Sequence, residues 1–174
     1  MAQSVLVGST GFVGGNLMAA HTFEAAYHST DVAEGFGRRN ELVVYAGVPA
    51  AMFLANKETL VCAGELVMAA ARENLRRLAP RRLVLISSIA VYRDSRGKDE
   101  QSPMETEGLP PYGANRLQLE QWVREDFPDA LIVRLPALYG KGLKKNFLYD
   151  LHTLTPALLK PEKYAELAAR SALV

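Results

Sequence analysis

The chain has 174 residues, 49% of them hydrophobic, and a formal net charge of +1 from 20 Lys and Arg against 19 Asp and Glu. That length predicts one domain able to bury a core without staples, and the balanced charge gives no broad basic field for nucleic acid. A single cysteine, Cys62, excludes an internal disulfide or a multi-cysteine zinc site. No apolar run reaches the roughly 18 residues of a membrane span, and Met1–Ser4 lacks the charged and apolar regions of a signal peptide. The expectation is a soluble cytoplasmic domain.

Ser4 to Val7 is a short apolar run ending at Gly8, which predicts a buried strand. A glycine-rich turn, Gly8 to Gly15, follows, then helical composition from Asn16 to Ala20. Ala25 to His28 reads as a second strand leading into Ser29-Thr30-Asp31, and Val32 to Asn40 as a polar link. Leu42 to Ala46 is a third buried run, stopped by Gly47 and Pro49. A long helix is predicted from about Lys57 to Leu78, with Pro80 beyond its end. Leu83 to Ile86 forms the next strand, closed by Ser87-Ser88, and Arg93 to Pro111 a long polar loop. Tyr112 to Phe127 reads as a helix carrying Leu117, Leu119, Trp122 and Val123, and Ala130 to Leu135 as the last strand. A weak helix from Pro161 to Leu173 places proline in its first turn. Unbroken apolar strands separated by helices predict an α/β fold, a mostly parallel sheet with helices on both faces.

Gly8-x-x-Gly11-x-x-Gly14 stands between a strand and a helix, the context in which such a triplet binds a dinucleotide. Gly8 permits the tight turn, Gly11 lets a pyrophosphate approach the backbone, and Gly14 lets the helix pack closely on the sheet. Thr10, Phe12 and Val13 would line the same phosphate site, at the positive end of the new helix. The alternative is a purely structural turn. A ribose-reading acid is expected about 20 residues on. Asp31 is the nearest candidate, while His28 or Ser29 can occupy that position instead. Arg38 and Arg39 follow, and a hydroxyl with a nearby arginine would favour NADP, so NAD and NADP both stay open. Asp31 reads equally as a helix N-cap or a solvated loop residue.

A second set of residues lies downstream: Ser87-Ser88 followed by Val91-Tyr92, then Tyr112-Gly113-Ala114-Asn115-Arg116 with Glu120 a turn beyond, then Arg134 to Gly140. Together with the glycine loop and Ala46-Gly47, these motifs resemble the extended short-chain dehydrogenase/reductase superfamily, in particular its NAD-dependent epimerase/dehydratase branch, over roughly residues 4 to 147. The resemblance implies a Rossmann-type doubly wound domain over residues 1–140 and a minimal or truncated substrate-binding segment over 141–174. It implies NAD or NADP as cofactor and a nucleotide-activated sugar, or a similar hydroxy or keto compound, as substrate for oxidoreduction, epimerisation or dehydration. Tyr112 would be the general acid/base, and Ser88 would hydrogen-bond the same substrate oxygen. A phenol in that role must ionise well below its reference of about 10, and a fixed cation beside it helps. Ala46, Gly47 and Val48 would line the cofactor channel. The long helix and the Tyr112 helix would pair across a two-fold axis into a homodimer.

Arg116 stands where that superfamily has lysine. Arginine keeps the charge and can donate to ribose hydroxyls, but it does not release its proton in a protein. Lowering of a neighbouring phenol survives the change; a proton relay through a neutral lysine does not. The second expectation is therefore a nucleotide-binding sensor or partner protein that has lost turnover.

Other residues have bland readings beside the functional ones. Asn56-Lys57 could reach a phosphate or simply start a helix, and Lys141, Lys144 and Lys145 could meet a diphosphate or face solvent. His21, His28 and His152 lack metal-ligand spacing, so no metal is expected. Cys62 reads as a small buried apolar residue.

Overall fold

The structure, a computed structural model, describes residues 3–49 and 61–143. The expectations for Asn56, Lys57, Lys144, Lys145, His152, the side chain of Cys62 and the helix from Pro161 to Leu173 fall outside the described residues. The chain divides into two compact units, Met1–Leu138 and Tyr139–Val174. All elements that follow belong to the first.

The five apolar runs become strands β1 (Gln3–Val7), β2 (Ala25–Tyr27), β3 (Asn40–Tyr45), β4 (Arg82–Ser88) and β5 (Leu131–Leu135). They form one sheet in the order β2-β1-β3-β4-β5, and every neighbouring pair is parallel. The helices are α1 (Phe12–Ala20), α2 (Val61–Leu78) and α3 (Pro111–Asp126). Parallel neighbours need crossovers, and α2 and α3 supply those before β4 and β5. The register aligns Val5 with Val43 and Val43 with Leu83. With a side-chain period of two, Val5, Val7, Val43, Tyr45, Leu83 and Leu85 share one face of the sheet. That face packs on Met68, Ala71, Leu75 and Leu78 of α2 and on Leu119, Trp122 and Val123 of α3. The α2 positions recur at three- and four-residue spacing, one stripe of a helix. Complete burial of Leu75 and Leu78 contributes about 1.5–3 kcal/mol each.

Two local differences from the sequence reading have physical causes. Helix α1 begins at Phe12, not Asn16, so Gly14 and Gly15 are helical rather than part of the turn. A Cβ on Gly14 would lie 2.0 Å from the Gly8 carbonyl oxygen, so the helix start needs glycine to touch the turn. The link between β2 and β3 contains a 3-10 turn, Val32–Gly35. It is anchored by the buried Asn40 amide, whose Nδ2 donates to the carbonyls of Gly35 (3.1 Å) and Leu78 (2.5 Å) and whose Oδ1 accepts from Gln3 Nε2 (2.8 Å). One side chain thus ties β1, the crossover and the end of α2, with its polar capacity satisfied.

Because all strands run the same way, their carboxyl ends share one sheet edge. Gly8, His28, Ala46 and the Ser88 turn leave the sheet there. In open parallel α/β sheets this is the edge where ligands bind.

Candidate active site

The turn after β1 is fixed by the β2 exit. The N–H groups of Gly8 and Ser9 donate to the Tyr27 carbonyl at 2.7 and 3.1 Å. Gly8 has φ +95°, and a Cβ there would lie 2.5 Å from the Ala46 carbonyl oxygen. Gly8 and Gly14 are therefore required by the protein's own packing. Gly11 differs: its φ is −75°, it is exposed, and its nearest obstacle to a Cβ is 3.4 Å away. Among the described residues nothing demands glycine at 11. What remains is close approach from outside. Gly11 caps α1 without a side-chain hydrogen bond, and the first turn of α1 holds no acid. The N-terminal N–H groups and the positive helix end thus face an exposed turn, a fit to an anionic pyrophosphate. Thr10 is exposed beside them, and Phe12 and Val13 are half-buried in the first turn.

The β2 exit is organised around His28 and Asp31. Asp31 Oδ1 accepts from the His28 backbone N–H (2.7 Å) and Oδ2 pairs with His28 Nε2 (3.1 Å), while Thr30 Oγ1 contacts His28 Nδ1 at 2.8 Å. Asp31 holds the N-cap position of the 3-10 turn but bonds backwards, making no cap of its own. Ser29 is exposed. Arg38 and Arg39, which follow Asp31 along the chain, do not stand at this corner. The Arg39 carbonyl accepts from the Gln3 N–H, which puts Arg38 and Arg39 at the opposite end of β1.

Ser88, Tyr112 and Arg116 come together through backbone contact. Ser88 ends β4 and caps a 3-10 turn, Ile89–Val91, its Oγ accepting from the Ala90 N–H at 3.2 Å. A Cβ on Gly113 would lie 2.2 Å from the Ala90 carbonyl oxygen, so the first turn of α3 rests directly on that turn. Tyr112 is buried, and the Arg116 guanidinium carbon lies 5.2 Å from its ring centroid. Arg116 is 5% exposed. Its Nη2 donates to the carbonyls of Val48 (3.0 Å) and Pro49 (3.2 Å), its Nη1 to that of Ile86 (3.3 Å), and its Nε has no partner. Burial pushes the guanidinium below its ordinary range, partly offset by the charge of Tyr112, by the hydrogen bond that Arg116 donates to it and by the charge of Glu120.

Beneath Ser88 lies a network that sequence reasoning did not assemble. The Glu120 carboxylate is fully buried; it accepts from Ser87 Oγ (2.5 Å) and from Arg134 Nη2 (2.8 Å) and Nε (3.1 Å). Arg134 also donates to the Tyr92 hydroxyl, which itself donates to the Asp99 carbonyl at 2.6 Å. The only signal in the sequence was Glu120 one turn after Arg116, with Arg134 at a strand exit.

Residues 3–158 match the family described as the RmlD substrate binding domain. The chain belongs to this family. The RmlD-family chain is also similar to solved structures. A dTDP-4-dehydrorhamnose reductase from Bacillus anthracis, in complex with NADP, is 22% identical with a TM-score of 0.68, over 88% of this chain and 60% of that one. A UDP-galactose 4-epimerase is 20% identical with a TM-score of 0.66, over 87% and 61%. A dTDP-4-dehydrorhamnose reductase ortholog from Clostridium acetobutylicum is 19% identical with a TM-score of 0.60, over 87% and 58%. The chain thus spans about three fifths of these proteins. No curated protein matches it. At these identities the likeness establishes the fold, a Rossmann-like α/β domain. In this RmlD-family domain the carboxyl edge carries the glycine loop, Ala46–Val48, Ser88, Tyr112 and Arg116. Among the described residues no helix is long and apolar enough to cross a membrane.

Proposed function

We propose that this chain binds NAD(H) or NADP(H) along Gly8–Gly14 and reduces the keto group of a nucleotide-activated sugar. The observation that carries this reading is Gly11, a glycine that the packing of the described residues does not require, open before an uncapped helix at the edge that also holds Ser88 and Tyr112. The NADP-bound reductase among the similar structures supports the cofactor, and its dTDP-linked keto sugar supports the substrate class.

Phe12 and Val13 would hold the pyrophosphate through backbone N–H groups and the helix dipole, while Gly11, whose own N–H donates to the Gly8 carbonyl at 3.1 Å, would give it room to approach. Ala46, Gly47 and Val48 would floor the channel towards the nicotinamide. The bound dinucleotide supplies the hydride. The chain's own part is to place a proton: the Tyr112 hydroxyl gives it to the substrate oxygen as that oxygen gains charge. Ser88, whose Oγ already accepts from Ala90, has its hydroxyl hydrogen to offer the same oxygen. Arg116 holds a fixed positive charge beside the Tyr112 ring.

The experiment is a titration with NADPH and NADH followed by nicotinamide fluorescence, then turnover of dTDP-4-dehydrorhamnose followed by loss of nicotinamide absorbance. Binding with turnover is expected; failure of both nucleotides to bind overturns the reading. Binding without oxidation of the nucleotide by any nucleotide-linked keto sugar selects the second reading, a dinucleotide sensor. The commitment of Arg116 to backbone carbonyls favours that alternative.

A further inference from the structure

The backbone that leaves β3 is held from two sides. On one side it lies against the glycine turn: the Ala46 N–H donates to the Val7 carbonyl at 2.8 Å, and a Cβ on Gly8 would meet the Ala46 oxygen at 2.5 Å and the Gly47 nitrogen at 2.8 Å. On the other side it is bonded by Arg116, through the carbonyls of Val48 and Pro49. The same guanidinium reaches Ile86 near the end of β4 and lies by the Tyr112 ring. A continuous path therefore runs from Tyr112 through Arg116 and residues 46–49 to Gly8.

Resting on the dinucleotide reading above, we propose that Arg116 is a positioning residue that latches the β3 exit onto α3, so that the cofactor-channel floor and the Tyr112 helix are held as one unit. Both hydrogens of Nη2 are used by Val48 and Pro49, and one of Nη1 by Ile86. These bonds go to the protein's own backbone and not outward to a ligand. A guanidinium spreads its donors across a rigid plane, which suits carbonyls from two different strand exits. A lysine concentrates its three donors on one atom at the end of a flexible stem and does not reproduce that span. Among the described residues no carboxylate hydrogen-bonds Arg116; Glu120, one turn on, is taken by Ser87 and Arg134. The buried cation is solvated by the carbonyl dipoles of Val48, Pro49 and Ile86 together with Tyr112.

The test compares wild type with Arg116→Lys and Arg116→Met, the second keeping the apolar stem while removing every donor. Two readouts are taken: NADPH and NADH affinity by fluorescence, and hydrogen exchange of the Ala46 amide without nucleotide. The latch predicts that both variants weaken nucleotide binding at least tenfold. It also predicts that both speed Ala46 exchange at least tenfold, while the Val43 and Leu85 amides stay slow. Wild-type behaviour in Arg116→Lys, with loss only in Arg116→Met, overturns the latch, because any cation would then suffice. Unchanged Ala46 exchange in both variants overturns it as well. If wild type binds neither nucleotide, the dinucleotide reading fails, and Ala46 exchange still decides the latch. If Arg116→Lys does not fold, Arg116→Met carries the exchange test.

Discussion

Arg134 and Glu120 form a two-pronged ion pair, Nη2 to Oε2 at 2.8 Å and Nε to Oε2 at 3.1 Å, with the carboxylate fully buried and the arginine side chain 8% exposed. The pair joins β5 to α3, and Ser87 and Tyr92 extend it to β4 and the loop beyond. Glu120 also strengthens the charged state of Arg134, holding its guanidinium above the ordinary arginine range. Removing Arg134 leaves the buried Glu120 carboxylate with the half-exposed Arg124, 3.8 Å away, in place of its close partner; breaking a buried pair in this way costs about 3–5 kcal/mol, whereas replacing both partners by apolar residues costs far less. Arg134→Met should therefore lower unfolding free energy in urea by about 3–5 kcal/mol. The Glu120→Leu/Arg134→Met double variant should be more stable than Arg134→Met alone. Additive losses would show that the two charges do not depend on each other.

Two glycines of the same loop should respond oppositely to alanine. Gly14→Ala drives a Cβ to 2.0 Å from the Gly8 oxygen, so helix α1 must shift and stability should fall by more than about 1 kcal/mol. Gly11→Ala meets nothing closer than 3.4 Å at an ordinary φ, and its stability should stay within about 0.5 kcal/mol of wild type. Yet its nucleotide affinity should drop at least tenfold. Thermal unfolding and NADPH titration of the two variants separate the structural glycine from the ligand-facing one.

Tyr112→Phe should lower turnover of the keto sugar by about 10²–10⁴-fold while nucleotide affinity changes less than twofold, since the phenyl ring keeps its packing and only the proton carrier is lost. Ser88→Ala should also reduce kcat, by a smaller factor. Undiminished turnover in Tyr112→Phe would remove this residue from the chemistry.

Burial raises the Tyr45 phenol above its ordinary value, with the hydrogen bond from Asn74 Nδ2 (3.3 Å) opposing the shift weakly. In the unfolded chain the phenol ionises near pH 10. The stability due to its protonated form is fully present below that pH. It falls as pH rises towards the higher folded value, because the unfolded state releases the proton first. The slope contributed is about 1.4 kcal/mol per pH unit. Urea midpoints of wild type measured upwards from pH 9 should decline more steeply than those of Tyr45→Phe; parallel declines would contradict the assignment.

The apolar runs made the strands legible: β1, β3 and β4 lie inside the sheet, and even the edge strands β2 and β5 keep an unbroken apolar run. The start of α1 was not, because Gly14 and Gly15 carry turn propensity that the close approach to Gly8 overrides. Tyr112 and Ser88 were found through a recognisable motif order. The partners of Arg116 were not, because backbone carbonyls of Val48, Pro49 and Ile86 leave no mark on a sequence. Arg38 and Arg39 show the converse. They are near Asp31 along the chain, but the crossover carries them to the other end of β1.

The parallel register that sets Ser88 beside Leu135 also orders events during synthesis. β2, β1 and β3 are complete once residue 45 has emerged, and β4 joins β3 after residue 88. The outer edge of β4 then stays unpaired until all of α3 and β5 have been made, an interval of seconds at about 5–20 residues per second. An open strand edge is a template for pairing with another chain. The nascent chain is therefore most exposed to aggregation while the loop from Arg93 to Pro110 and helix α3 are being translated. Arrival of β5 closes that edge and seats Arg134 on Glu120 in the same step.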